Sequence, residues 1–311
     1  MKDFHIPVMV GEVVHFLGCA PGKTFVDCTI GGGGHARAIL EASHPDGCMI
    51  GIDRDPKAVL EARRALRQYG PRIRIFHEDF VNLRKILLQE GKTRVHGILL
   101  DLGMSLYQLQ ESGRGFSFKY DEPLDMRMNP NSGITAEELV NKTPEKGLSV
   151  IIKRYGEERW SRRIAKRIVE SRAREPIRSS RRLAEIVCAA VPRGSCSQRI
   201  HPATRTFQAI RIAVNQELKQ LEIFLDDVAD HLLPKGRICI ISFHSLEDRI
   251  VKQRFRALEK GCKCPPHLPY CTCNKEPKIR IITRKPIRPA PEEISKNPMA
   301  RSARLRVAER L

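Results

Sequence analysis

The segment Thr24-Phe-Val-Asp27-Cys-Thr-Ile-Gly31-Gly-Gly33-Gly34-His35-Ala36 reads as a strand, a glycine turn and the opening of a helix. Glycines at that junction permit a tight turn and let a ligand approach the backbone beside the positive end of the helix. Working outward, strand patterns at 24–28, 49–53, 72–77 and 97–101 alternate with helical patterns at 36–42, 56–69 and 81–89. Pro56 suits the first turn of its helix. Such alternation predicts a parallel α/β sheet. Asp27, Asp53, Asp79 and Asp101 each stand at or just past the end of a strand. Ligands of open α/β sheets bind outside the carboxyl ends of the strands, so these four acids are expected to converge on one crevice.

Two cofactors share this pattern. Gly31-x-Gly33-x-x-Ala36 matches the dinucleotide fingerprint, and Asp53 stands where a carboxylate accepts both ribose hydroxyls, so a nicotinamide oxidoreductase is one alternative. Asp27 favours S-adenosylmethionine instead. A carboxylate there can face the amino-acid part of a methionine-derived ligand, whereas it would repel a pyrophosphate. Asp79-Phe80 offers an acceptor for an adenine amine beside an aromatic that can cover the ring. The structural alternatives are a glycine turn without a ligand and an Asp101 that only caps its turn.

After Asp101 the pattern breaks. Residues 113–132 are rich in Gly, Pro, Asn, Asp and Ser and read as a long loop. Helices are expected at 135–141, 157–172 and 180–190. A long helix at 206–233 then leads to a strand at 237–243, a helix at 246–258 and strands near 278–283 and 303–307. The expected fold is a Rossmann-like α/β domain, 1–112 and 207–311, opened by an inserted all-helical domain, 113–206. In the 157–172 helix Trp160, Ile164 and Ile168 form an apolar stripe, with Arg162, Arg163, Lys166 and Arg167 mostly opposite.

The chain carries 55 Lys+Arg against 36 Asp+Glu, a formal charge of +19. From Lys153 to Arg205 there are fifteen basic and five acidic residues, so about half of that excess lies in the expected insert. A concentrated excess of this kind answers a polyanion. No run is long and apolar enough to span a bilayer, and Glu12 and His15 interrupt any signal-peptide core. A cytoplasmic protein is expected, with its ten cysteines as thiols or metal ligands rather than disulfides. Cys262, Cys264, Cys271 and Cys273 form two tight pairs around a proline-rich stretch, a candidate structural zinc site. Free thiols or a reversible disulfide are the alternatives. Cys19, Cys28, Cys48, Cys188, Cys196 and Cys239 read as small core residues.

Longer words extend the pattern: His5-Ile-Pro-Val8, Gly51-Ile-Asp53-Arg-Asp55, Asp101-Leu-Gly103, Arg114-Gly-Phe-Ser-Phe118, Leu124-Asp-Met-Arg-Met128 and Tyr155-Gly-Glu-Glu-Arg159. The longest are His201-Pro-Ala-Thr-Arg-Thr-Phe-Gln-Ala-Ile-Arg211, Ser242-Phe-His-Ser-Leu-Glu-Asp-Arg249 and Asn297-Pro-Met-Ala-Arg-Ser302. With these words in order nearly end to end, the sequence resembles the MraW/RsmH ribosomal RNA methyltransferases. The resemblance implies methylation of the exocyclic N4 of a cytidine in 16S rRNA of the small ribosomal subunit, with the helical insert recognising substrate. It also implies S-adenosylmethionine contacts at Gly33, Gly34, His35, Asp53, Phe80, Asp101 and Gln108.

Methyl transfer requires the nucleophile in line with the sulfonium methyl, and the cytosine amine must leave conjugation and lose a proton. Many amino-group methyltransferases carry an Asn/Asp/Ser-Pro-Pro-aromatic turn after strand four; this chain has Asp101-Leu-Gly-Met104. Asp101 or neighbouring carbonyls are expected to accept from the amine. Ser242-Phe243-His244-Ser245 is expected at the same mouth, with His244 orienting the base, carrying a proton, or serving the loop structurally. Arg114, His201, Arg205 and Ser242 are expected RNA contacts, with helix capping and salt bridges as competing roles for His201 and Arg205. The non-catalytic alternative is an RNA-binding protein that kept the fold. A homodimer is left open.

Overall fold

The structure is a computed structural model and describes residues 7–192, 201–262, 264, 273 and 276–311. Of the residues singled out above, His5, Cys196 and Cys271 lie outside the described residues. The chain divides into two compact units, Met1–Gly103 with Leu218–Leu311, and Met104–Glu217.

The first unit is built on seven strands: β1 (Thr24–Asp27), β2 (Cys48–Asp53), β3 (Ile73–His77), β4 (Val95–Asp101), β5 (Leu232–Ser242), β6 (Ile279–Ile281) and β7 (Arg304–Arg310). Their order across the sheet is β3-β2-β1-β4-β5-β7-β6. β1 to β5 run parallel, and β7 is antiparallel to both β5 and β6. Helices α1 (Val10–Leu17), α2 (Gly34–Ala42), α3 (Pro56–Ala65) and α4 (Leu83–Gln89) accompany the first strands. Parallel strands covered on both faces need near-continuous apolar runs, as β1 and β4 have. Successive side chains then part to opposite faces. Val26, Ile50 and Ile98 join one core with Leu83, Leu87 and Phe224. Phe25, Met49 and Leu99 join another with Val13, Leu17 and Ile39.

The strands follow the sequence expectation closely, with one difference at β5. The Pro234-Lys235-Gly236 stretch, which lies between the expected helix at 206–233 and the expected strand at 237–243, is an irregularity within β5. Leu232 pairs Val95 but Arg237 pairs Gly97, with Lys235 at φ +64°. After β5 come α12 (Ser245–Lys260) and α13 (Pro291–Lys296).

The second unit is helical: α5 (Leu106–Gln110), α6 (Ala136–Lys142), α7 (Glu145–Gly156), α8 (Ser161–Arg172), α9 (Ser180–Ala190) and α10 (Thr204–Asn215). Its own apolar core includes Leu139, Leu148, Ile152, Ile164, Ile168, Leu183, Val187, Phe207 and Ile210. Helix α7 was not expected; it follows Pro144, has no side-chain cap and carries Gly147 inside. The helix expected from 157 begins at Ser161, because Glu157 leaves α7 at φ +49°. The long helix expected at 206–233 is two helices. Gln216 at φ +50° ends α10, and α11 (Glu217–Asp227) begins at the unit boundary. Asn215 ties that end of α10 to the long loop, accepting from Met128 N–H at 2.8 Å and donating to Met126 C=O at 2.7 Å.

Candidate functional site

β1 leads outward to β2 and β3 on one side of the sheet, whereas β4 and β5 lie on the other. The point between β1 and β4 is therefore a topological switch point, where a crevice opens beyond the strand ends. Asp27 and Asp101 end the two flanking strands. Asp53 ends β2 next to them. The glycine turn closes over this end of the sheet through Cys28 N–H to Leu99 C=O at 2.9 Å and Ile30 N–H to Ile52 C=O at 2.9 Å.

Gly31 and Gly33 hold φ of +50° and +83°, a region that L side chains rarely adopt. A Cβ on Gly33 would also meet Leu66 Cδ1 at 2.9 Å. Gly33 caps α2 without a side-chain bond, and the first turn of α2 has no acid, so its amino end keeps its positive character.

The acids are fixed by the turn. Asp53 accepts from Gly31 N–H and Asp55 N–H, both at 2.9 Å, one on each oxygen. Burial raises its pKa against the lowering pull of those two N–H groups. Asp27 is 1% exposed and accepts from Thr29 N–H at 3.1 Å. Burial pushes it up to about 7, with His35 opposing and the Asp101 and Asp53 charges adding to the rise. His35 Nε2 lies 3.4 Å from Asp101 Oδ2, both side chains buried. Burial alone would lower the imidazole's pKa, but the contact with Asp101, aided by Asp27 and Glu293, carries it above the ordinary value. Its Nδ1 has no hydrogen-bond partner among the described residues.

Asp79 caps the turn after β3 through Val81 N–H at 3.1 Å, with Arg54 3.9 Å from its other oxygen. Phe80 packs edge-to-face on Phe224, centroids 5.3 Å apart, and is 7% exposed. Its ring belongs mainly to the apolar core.

The remaining expected residues are placed as follows. Ser242 ends β5, buried, with its hydroxyl 3.4 Å from Arg304 C=O. His244 is the amino cap of α12. Its Nδ1 accepts from Glu247 N–H at 3.4 Å and its Nε2 lies 3.1 Å from Glu247 Oε1. In the second unit Gln108 completes a capping box with Ser105 at the start of α5. Arg114 donates to the carbonyls of Arg127 and Met128 at 3.0 and 2.9 Å. His201 stacks on Phe118 at 4.3 Å and accepts from Ala203 N–H at 3.2 Å, a bond within the turn that precedes α10. Arg205 is half exposed, 3.9 Å from Glu158. Of the six cysteines read as core, Cys28 and Cys239 are buried, whereas Cys19, Cys48 and Cys188 are partly exposed.

Two participants went unforeseen. Thr29 bridges two acids: its hydroxyl accepts from Asp101 N–H at 2.7 Å while its own N–H reaches Asp27. Glu293 of α13 accepts from Met9 N–H at 2.7 Å and adds its charge near His35. A Thr between a strand-end acid and a glycine turn is a readable signal; a contact 284 positions apart is not.

A hollow of about 660 Å³ lies at the amino ends of β4 and β5, lined by Arg84, Lys92, Arg94, Asp227, Asp230 and others. It holds none of the strand-end acids.

A glycine turn, strand-end acids and a sheet whose seventh strand is reversed define the Rossmann-like class of S-adenosylmethionine-dependent methyltransferases. The MraW methylase family model matches residues 2–311, and the chain belongs to that family. It is 51% identical over 312 residues to a protein of Desulfosudis oleivorans named ribosomal RNA small subunit methyltransferase H, covering all of both chains. Relatives with the same name from Desulforapulum autotrophicum and Geobacter sulfurreducens are 54% and 52% identical, again with complete coverage of both chains.

Proposed function

We propose that this protein transfers a methyl group from S-adenosylmethionine to the exocyclic N4 of a cytidine in 16S rRNA, in the cytoplasm. The observation that carries the reading is the meeting of Asp27, Asp53, Asp101 and His35 at a glycine turn on the switch point of the sheet. The residues fit the cofactor. Asp27 is a buried carboxylate in need of a cation, such as an α-ammonium group. Asp53 keeps lone pairs for ribose hydroxyls after its two backbone bonds. The uncapped start of α2 and the buried Nδ1 of His35 supply further polar groups. A pyrophosphate has no comparable fit beside Asp27, since like charges repel.

When bound, S-adenosylmethionine supplies a methyl group on a positively charged sulfur. The chain's work is then positional: holding the amine in line with that methyl accounts for most of the rate. Asp101 accepts a hydrogen bond from the cytosine amine, drawing its lone pair out of conjugation, and holds the proton as it leaves. His35, with its Nε2 3.4 Å from Asp101 Oδ2, holds that carboxylate in position. His244 acts as the cap that sets the start of α12.

The helical unit takes the RNA. Arg162, Arg163, Lys166 and Arg167 are exposed on α8 opposite its buried Ile164 and Ile168, and Arg159, Arg178, Arg181 and Arg182 are exposed on the flanking chain. Phosphate contacts from such residues set position and affinity. Among the four expected RNA contacts, half-exposed Arg205 is the best placed. Arg114, His201 and Ser242 serve through the local fold.

Calorimetry with S-adenosylmethionine and with NADH tests the cofactor: binding of the first and none of the second is expected. Asp101→Asn is expected to keep cofactor affinity within about tenfold while methyl transfer falls by roughly 10²-fold or more. Undiminished transfer by that variant would remove Asp101 from the reaction.

A further inference from the structure

We propose that Cys262, Cys264 and Cys273 bind one zinc ion that closes the chain between α12 and β6. Their sulfurs all lie within 4.8 Å of one another. Thiolates around a tetrahedral zinc, with bonds of about 2.3 Å, stand roughly 3.8 Å apart, so a small inward movement completes the arrangement. Cys264 N–H donates to Cys262 Sγ at 3.4 Å, the bond expected where a thiolate carries charge. No disulfide joins the three, and each is partly exposed, which leaves an entry path.

The surrounding backbone brings the two ends of this stretch together. Gly261 ends α12 at φ +66°, where a Cβ would lie 2.5 Å from the backbone of Glu276 and Pro277. Lys278 N–H donates to Leu258 C=O at 2.9 Å, so the chain returns to its point of departure. Between Cys262 and Pro277 the sequence has three further prolines and only Leu268 and Tyr270 as large apolar residues. A metal clip offsets the entropy of closing a connection of this length. Among the described residues β6 pairs only with β7 and stands at the end of the sheet, so the clip also secures an edge.

An all-sulfur donor set selects zinc or iron–sulfur chemistry over magnesium or calcium. Zinc needs no redox partner. Each Zn–S bond forms as a thiol proton passes to solvent, and the fourth tetrahedral position takes a further donor.

The test uses the full chain, purified without chelator. Metal analysis is expected to give about one zinc per chain. Exchange with Co(II) is expected to produce the intense near-ultraviolet charge-transfer absorption of cobalt thiolates. Cys264→Ser is expected to weaken metal retention at least about tenfold. Should that variant fold poorly, alkylation of the wild type decides. With zinc present, Cys262, Cys264 and Cys273 are expected to be protected until chelator is added, while partly exposed Cys48 reacts in both states. Zinc below about a tenth of an equivalent after reconstitution, a cobalt spectrum without thiolate bands, or stoichiometric iron and sulfide would each overturn the proposal.

Discussion

Asp27 shows how a single residue joins fold to chemistry. Its carboxyl is buried at the end of β1 and pushed up to about 7, chiefly by loss of solvent. Its folded-state pKa is raised above the unfolded value, so its contribution to stability is full in acid, below about 4, and is lost as pH rises through about 7. A cationic ligand prefers the ionised form. Affinity for S-adenosylmethionine is therefore expected to rise roughly eightfold between pH 6 and 7.5, with proton release on binding below neutrality. Calorimetry in buffers of different ionisation enthalpy measures both, and Asp27→Asn is expected to weaken binding and flatten the profile. A flat profile in the wild type would place the cofactor's cation elsewhere. Asp27, Asp53 and Asp101 stand out in the sequence because each closes an apolar run, whereas Asp79 lies two residues past the end of β3 and caps the turn that follows. Thr29 carried a readable signal that went unused, whereas Glu293 had none, because its role arises from a contact with the far end of the chain.

Among the elements, the turn between β1 and α2 is the most exacting. Gly33→Ala adds a Cβ at φ +83° and against Leu66 Cδ1. The left-handed backbone alone costs about 1–2 kcal/mol, so the thermal midpoint is expected to drop by several degrees and cofactor affinity with it. A midpoint unchanged within error would mean the turn tolerates a different backbone. The strands could be read because parallel strands need unbroken apolar runs and their ends are marked by acids and glycines. Element boundaries in the helical unit were harder. The break at Gln216 and the exit at Glu157 place non-glycine residues at positive φ, so neither carries the usual mark of a helix end. The irregularity in β5 likewise carries Pro, Lys and Gly in succession, residues that interrupt a strand pattern, while the ladder resumes beyond them.

For the molecule as a whole, charge is the organising quantity. About half of the +19 excess lies between Lys153 and Arg205, where the packing of α8 and α9 leaves Arg162, Arg163, Lys166, Arg167, Arg181 and Arg182 exposed. Affinity for rRNA is expected to fall steeply with salt. Replacing Arg162, Arg163, Lys166 and Arg167 by Gln is expected to reduce the magnitude of the log–log salt slope by about 0.7–0.9 for each phosphate no longer neutralised. The thermal midpoint is expected to hold, because these side chains support only surface pairs. An unchanged slope would move the RNA to another face. The most direct test of the central claim is transfer of labelled methyl from S-adenosylmethionine to small ribosomal subunits from cells lacking this gene, with the modified nucleotide mapped by mass spectrometry. About one methyl per subunit, on the N4 of a single cytidine of 16S rRNA and abolished by Asp101→Asn, is the expected result. Cofactor binding without any transfer to that RNA, or methylation of a different base, would contradict it.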